Sequence, residues 1–254
     1  MLYPKIDTLF ERDPATFKVM PGRFKNEVYK LITEWEWTEK IDGTNIRIEF
    51  EPVDGPIRHI YRNVVYDIET NQPYGMYYGG RTDNAQIPKG IIKYLDDHVD
   101  TNLLLEIFGN KKVTIYGEGY GPQIQCGHGY SDTQKFIVFD ILVNGHWLKM
   151  IDMKNVCDKL KLDMVPTFKF QYPDLSRYDY EVIYHEAPLF LAINKVREGF
   201  KSQLGDQSVN AEGLIGRTKI PLFDGSGKRL ICKLKTRDFL YIRDDESSFK
   251  ELNG

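Results

Sequence analysis

The sequence predicts an α+β fold of mainly antiparallel sheets flanked by helices. Three observations carry the prediction. Ile46, Ile48 and Phe50 alternate with Arg47 and Glu49, the period of two that gives a strand one apolar and one charged face. Pro88 is followed by Ile91, Ile92, Leu95 and Val99 at helical spacing. Strand-like and helix-like stretches succeed one another without the regular strand-helix alternation of a parallel sheet.

After an extended N-terminal segment, Phe24, Val28, Leu31 and Ile32 recur at the spacing of a short amphipathic helix. A strand follows from Trp35. Asp42-Gly43, set between alternating apolar residues, is the local signature of a hairpin turn, ending one strand at Lys40 and leading into another at Ile46. Residues 57–82, rich in Tyr, Gly and Asn, read as short strands and turns. Pro88 opens a helix at a position where its missing N–H costs nothing. Residues 111–121 (KKVTIYGEGYG) and 135–145 (KFIVFDILVNG) read as strands, the second nearly continuously apolar and therefore central. Residues 150–162 and 187–203 fit helices. Residues 211–219 (AEGLIGRTK) and 229–239 (RLICKLKTRDF) read as two closing strands around the turn-rich PLFDGSGK. No repeat, low-complexity tract or linker interrupts the chain, so one domain over residues 1–254 is expected.

At 254 residues the chain is long enough to bury a substantial core. Its 41% hydrophobic and 28% charged residues are a globular composition, and no apolar run approaches the ~20 residues that span a bilayer. The start, MLYPKIDTLFERD, lacks the basic and apolar blocks of a leader, so the cytosol is the expected compartment. Cys126, Cys157 and Cys232 form no Cys-x-x-Cys pair, which argues against a disulfide framework and a structural zinc site. Cys126 and His128 read as ordinary residues of a Gly-rich loop. A net charge of −3 creates no global field towards nucleic acid. From Arg217 to Arg243, however, eight basic residues face two acidic ones; such a segment can bind phosphates, or be only a solvated basic face.

The chemistry-bearing side chains lie at strand ends. Lys40 precedes the Asp-Gly turn, Glu118 stands between two glycines, Glu212 precedes Gly213, and Lys233 and Lys235 are two apart on one strand, hence on one face. Two ammonium groups so placed repel each other unless a polyanion such as a phosphate chain lies beside them. Were Lys40 to join them, the added positive charge would favour its free amine, the form that acts as a nucleophile. Glu118 and Glu212 would then meet sugar hydroxyls or Mg²⁺. Each feature alone has a plainer explanation: a turn, a surface carboxylate, a solvated strand face.

In order, these residues resemble the nucleotidyltransferase motifs of ATP-dependent polynucleotide ligases, closest to the RNA ligases of the T-even phage nick-sealing type. Lys40-Ile-Asp-Gly-Thr-Asn45 resembles the nucleophile motif, and Gly80-Arg81-Thr82 the arginine element. Tyr116-Gly-Glu118-Gly-Tyr-Gly121, followed by PQIQ, resembles motif III. Phe136-Ile-Val-Phe139-Asp140-Ile141, Ala211-Glu212-Gly213 and Lys233-Leu-Lys235 resemble motifs IIIa, IV and V.

The resemblance implies a nucleotidyltransferase (ATP-grasp-like ligase) fold with the nucleotide pocket between its sheets. It also implies ATP and Mg²⁺ or Mn²⁺ as cofactors. Lys40 would become lysyl-AMP, AMP would pass to an RNA 5′-phosphate, and a 3′-hydroxyl would displace it. Glu39, Lys40, Ile41, Asn45, Arg81, Glu118, Phe139, Glu212, Lys233 and Lys235 would form the nucleotide site. Within it Phe139 would stack on adenine, Glu118 and Glu212 would also serve the metal, and Lys233 and Lys235 would contact the α-phosphate. By composition alone Phe139 would be a core residue. Asn45 favours RNA over DNA, since DNA ligases and capping enzymes carry Arg there, whereas Asp42 departs from the phage enzyme's His. Only Thr236–Gly254 follow motif V, too few for an oligonucleotide-binding barrel or the phage enzyme's helical domain. Sealing of nicked or hybridised RNA would then draw on a partner protein that grips the duplex, a favourable substrate, or the basic Arg217–Arg243 segment. A minimal DNA ligase, a 5′-end adenylating enzyme and a non-catalytic nucleotide- or RNA-binding protein are the competing expectations. Retention of Lys40, Glu118, Glu212 and the motif V lysines speaks against the last.

Overall fold

Two sets of apolar residues build two separate cores, and the chain divides accordingly into two compact units, Met1–Pro4 with Asp42–Val165 and Lys5–Ile41 with Pro166–Gly254. The structure is a computed structural model and describes residues 1–56, 60–125, 129–170 and 188–240; Cys126, His128 and Arg243 lie outside the described residues.

In chain order the strands are β1 (Asp7–Thr8), β2 (Phe10–Arg12), β3 (Val19–Phe24), β4 (Trp35–Lys40), β5 (Thr44–Pro52), β6 (Asn63–Tyr66), β7 (Pro73–Gly80), β8 (Val113–Tyr120), β9 (Lys135–Val143), β10 (His146–Trp147), β11 (Thr167–Phe168), β12 (Gly213–Thr218) and β13 (Ile231–Lys235). The helices are α1 (Lys89–His98), α2 (Thr101–Phe108), α3 (Met150–Leu160) and α4 (Pro188–Glu198).

In the unit containing Lys5–Ile41, a five-stranded sheet runs β1-β13-β12-β4-β11, and β2 pairs with β3 beside it. Among the described residues, β1 joins in parallel, to β13, and the other ladders of this unit are antiparallel. One face of the sheet carries Trp35, Trp37, Leu214, Cys232 and Leu234. Leu189, Ala192, Ile193 and Val196 of α4, one stripe at i, i+3, i+4 and i+7, bury against this cluster.

In the unit containing Asp42–Val165, a six-stranded antiparallel sheet runs β10-β9-β8-β5-β7-β6. Ile46, Ile48 and Phe50 of β5 join Val113, Ile115, Phe136, Val138 and Ile141 on its apolar face, covered by Ile91 and Leu95 of α1 and by Met150, Met153, Cys157 and Leu160 of α3. Cys157 is a buried thiol, pushed up to about 12 by desolvation, so it is no nucleophile at neutral pH.

The charged face of β5 is buried as well. Arg47 and Glu49 are 3% and 2% exposed and pair with each other. β9 carries a bulge against β8: Val138 faces Gly117 and Asp140 faces Tyr116, which leaves Phe139 as the extra residue. Because of it Phe136, Val138 and Ile141 all reach the core, while Phe139 and Asp140 leave that face together.

Several elements differ from the sequence reading. The Asp42-Gly43 turn makes no hairpin: β4 and β5 belong to different sheets, so the turn carries the chain from one unit to the other. The helix expected through Phe24–Ile32 shrinks to a 3₁₀ turn over Glu27–Leu31 capped by Asn26, with Val28 and Leu31 left exposed because Phe24 belongs to β3. The helix after Pro88 is succeeded by α2, whose start is fixed by Asp100, its side chain accepting the Asn102 N–H. The helix expected over residues 187–203 stops at Glu198, since Lys201 pairs with Asn210 as an extended bridge.

Candidate active site

The register of three adjacent strands sets Lys40, Gly213 and Lys235 in one row across the sheet, and Thr38, Ile215 and Lys233 in the next row but one. Alternation puts Lys40, Lys233 and Lys235 on the face opposite Trp37, Leu214 and Leu234. The middle position requires glycine, because a Cβ there would run into the Leu234 carbonyl. Glu212, one residue before β12, closes the row: one carboxylate oxygen accepts from Lys40 Nζ and the other from Lys235 Nζ at 2.7 Å. The Thr236 N–H donates to the Glu212 carbonyl at 2.9 Å, and the Thr236 hydroxyl to the Ala211 carbonyl at 3.1 Å, which anchors the backbone that presents the carboxylate.

All three side chains of this triad are mostly buried. Burial alone would raise the Glu212 carboxyl, but the ammonium groups of Lys40 and Lys235 outweigh it and hold it below the ordinary value. Lys233 is driven down by burial and then by its neighbours Lys235, Lys40, Lys5 and Arg12. So dense a group of cations around one carboxylate can receive a polyanion. A cleft of about 490 Å³ opens beside Glu212, with Lys201, Asn210, Thr236 and Arg237 among its lining residues.

Glu39 points to the other face of β4. It is 1% exposed, and its carboxylate accepts the Gln203 N–H at 2.9 Å; desolvation raises it, tempered by bonds from Ser202 and Gln203. Ile41, the last residue of this segment, is buried.

The remaining expected site residues belong to the other unit. Asn45 lies directly across the ladder from Glu118. Gly43 lets β8 approach, since a Cβ there would meet the Gly119 carbonyl and the Glu118 side chain. Arg81 is exposed in the turn after β7, and Arg47 holds that turn on both sides, donating to the Gly80 carbonyl and to Asp83. Phe139 is half-buried at the bulge, off the core face where composition alone would have put it.

The role of Arg47 at the turn after β7 left no sequence signal, because Gly80 and Asp83 lie 33 and 36 residues away. Among its described residues, the basic Arg217–Arg243 segment is no continuous face. Arg217 and Arg229 are buried, Arg217 donating to Thr38 at 2.8 Å, while Lys219 pairs with Glu34 and Lys228 with Asp7. Arg237 is the exposed arginine of this segment among the described residues. Also among the described residues, no group of three His, Cys, Asp or Glu side chains could hold a metal ion. Glu212 fits a hard cation only if an ammonium yields one of its oxygens.

A family model described as RNA ligase matches residues 33–235, from the strand that bears Lys40 to Lys235 itself. The chain belongs to the RNA ligase family. Solved structures of the Naegleria gruberi RNA ligase share its fold. A variant with ATP and Mn superposes with a TM-score of 0.52 at 17% identity, covering 96% of this chain and 65% of that one. The same ligase with PPi gives 0.51 at 18% identity, covering 96% and 64%, and a variant with AMP and Mn gives 0.51 at 14% identity, also covering 96% and 64%. The chain therefore spans somewhat less than two thirds of the structures it matches. A comparison with curated proteins finds no match. Among the described residues, no helix is long and apolar enough to cross a membrane.

Proposed function

We propose that residues 1–254 act as the adenylyltransferase of an ATP-dependent RNA ligase of the T-even phage nick-sealing type. The observation that carries the proposal is the Lys40–Glu212–Lys235 row, in which a lysine at a strand end shares one carboxylate with a second lysine two strands away. In the first step the Lys40 amine, its proton lost to water, attacks the α-phosphorus of ATP. An N–P bond forms, the bond from the α-phosphorus to the bridging oxygen breaks, and pyrophosphate leaves with the electron pair. Lys233 and Lys235 hold the α-phosphate. Glu118 contacts the ribose, Asn45 and Arg81 help hold the nucleotide or the 5′-phosphate end, Phe139 stacks on the base, and Glu39 and Ile41 flank the nucleophile. Mg²⁺ or Mn²⁺, brought with the triphosphate, would screen the phosphate charge, and Glu118 and Glu212 are the carboxylates expected to serve it.

The AMP then passes to the 5′-phosphate of an RNA end, and a 3′-hydroxyl displaces it to seal the strand. Family membership supports this reading, as do the solved relatives of like fold, which were obtained with ATP and Mn, AMP and Mn, or PPi. The decisive experiment mixes the protein and Mg²⁺ with each labelled nucleoside triphosphate in turn. A covalent adduct from ATP that disappears in Lys40→Ala is expected; no adduct, or one that survives the substitution, refutes the proposal. Nicked RNA, nicked DNA and hybrids then separate an RNA ligase from a minimal DNA ligase or a 5′-end adenylating enzyme.

A further inference from the structure

Tyr3 meets both residues that the bulge in β9 turns off the core face. Its ring edge stands against Phe139, centroids 5.0 Å apart at 77°, and its hydroxyl donates to Asp140 Oδ2 at 2.7 Å. Asp140 is 1% exposed, and its other carboxylate oxygen accepts the Ile141 N–H at 3.2 Å. The Tyr3 ring also stands edge-on to Tyr116 at 5.0 Å and to Trp147 at 5.6 Å. One side chain from the start of the chain is thus packed among three aromatic rings and bonded to the buried carboxylate beside Phe139.

A bulge costs the chain part of its ladder, so the direction of the extra side chain is set less by the sheet than by what packs on it. Edge-to-face contact fixes ring orientation because the positive edge of one ring meets the negative face of another. A hydroxyl held by a buried carboxylate removes the rotational freedom that would let the Tyr3 ring slide.

We propose that Tyr3 is a positioning residue that fixes the Phe139 ring in the attitude needed to stack on the nucleobase of the triphosphate. The inference rests on the reading of Phe139 given under Proposed function. It assigns Tyr3 a role in recognising the base and none in handling the phosphates.

The test compares ATP with inorganic tripolyphosphate, which carries phosphate charge and no base. Calorimetric affinities are measured for both in the wild type, Tyr3→Leu, Tyr3→Phe and Phe139→Ala, with adenylation kinetics alongside. Tyr3→Leu is expected to weaken ATP about tenfold while leaving tripolyphosphate within about twofold, raising KM for ATP with kcat little changed. Tyr3→Phe, which keeps the ring and loses only the hydroxyl, is expected to fall between the two and serves as the readout if Tyr3→Leu does not fold. Equal losses for both ligands in the folded Tyr3 variants, or no loss for ATP, overturn the role of Tyr3 while Phe139→Ala still loses base-dependent affinity. If Phe139→Ala itself binds ATP normally, the stacking reading fails and the role of Tyr3 falls with it.

Discussion

Lys40 and Lys235 lie two strands apart in one row of the sheet, with only Gly213 between them. The gap is narrow enough for one carboxylate to take both ammonium groups, and it stays open because position 213 has no side chain.

Gly213→Ala should therefore push β12 away from β13 and separate the two lysines. The added methyl meets backbone, which cannot rotate aside, so a destabilisation of about 1–3 kcal/mol is expected. Thermal unfolding checks the stability and labelled ATP the adduct, which should drop well beyond the change in folded fraction.

Glu212→Gln should lower adduct formation about a hundredfold or more, since it removes the charge that assembles the cationic row. The pH dependence gives a second readout. With its carboxyl held below the ordinary 4.5, Glu212 contributes stability that is present above that pH and is lost as pH falls through the folded value. The variant should unfold at lower temperature at neutral pH and lose part of the acid limb of the wild-type curve.

Lys233 has the opposite sign. A lysine driven below 10.5 binds its proton less well in the folded protein, so stability should rise as pH climbs from the folded value towards 10.5. Lys233→Met should be more stable than the wild type at pH 7, gaining about 2–4 °C for each kcal/mol of relieved desolvation and repulsion, while losing adenylation. A variant no more stable than the wild type would show that the lysine cluster is not under electrostatic strain.

Glu39→Gln should also stabilise at neutral pH. A buried carboxyl raised above 4.5 costs stability as pH rises through its folded value, and the neutral amide removes that cost while its oxygen can still accept the Gln203 N–H. Melting curves should coincide near pH 4 and separate by pH 7.

Arg237 and Arg217 should part company in RNA binding. Arg237 is exposed beside the cleft at Glu212, so Arg237→Ala should reduce the slope of log affinity against log salt by about 1. Arg217 is buried against Thr38, so Arg217→Ala should lower the melting temperature instead. An unchanged salt slope for Arg237→Ala would remove it from the RNA interface.

The residues most legible in the sequence were those whose chemistry sits in short strings: Lys40 before Asp-Gly, Glu212 before Gly213, and the i, i+2 pair of Lys233 and Lys235. Strand alternation placed the two lysines on one face, and the structure brings Lys40 to the same face, in the row of Lys235. What the sequence hid depends on distant partners. Asp42-Gly43 obeys a local turn rule, but whether its flanking strands pair is decided by the two sheets they join. Charge counting along Arg217–Arg243 could not separate arginines that point inward from one that points out. Tyr3 carried no signal, because its contacts lie more than 100 residues away in Tyr116, Phe139 and Asp140.

The bulge at Phe139 acts as a change of parity in the chain: inward positions are even-numbered before it, as at Phe136 and Val138, and odd-numbered after it, as at Ile141. The string FIVFDI can therefore vary in composition more easily than in length. Deleting one residue there would restore an ordinary strand, and Phe139 or its neighbour would be drawn back into the alternation. A chain so altered could keep its sheet while the ring of Phe139 no longer stands against Tyr3.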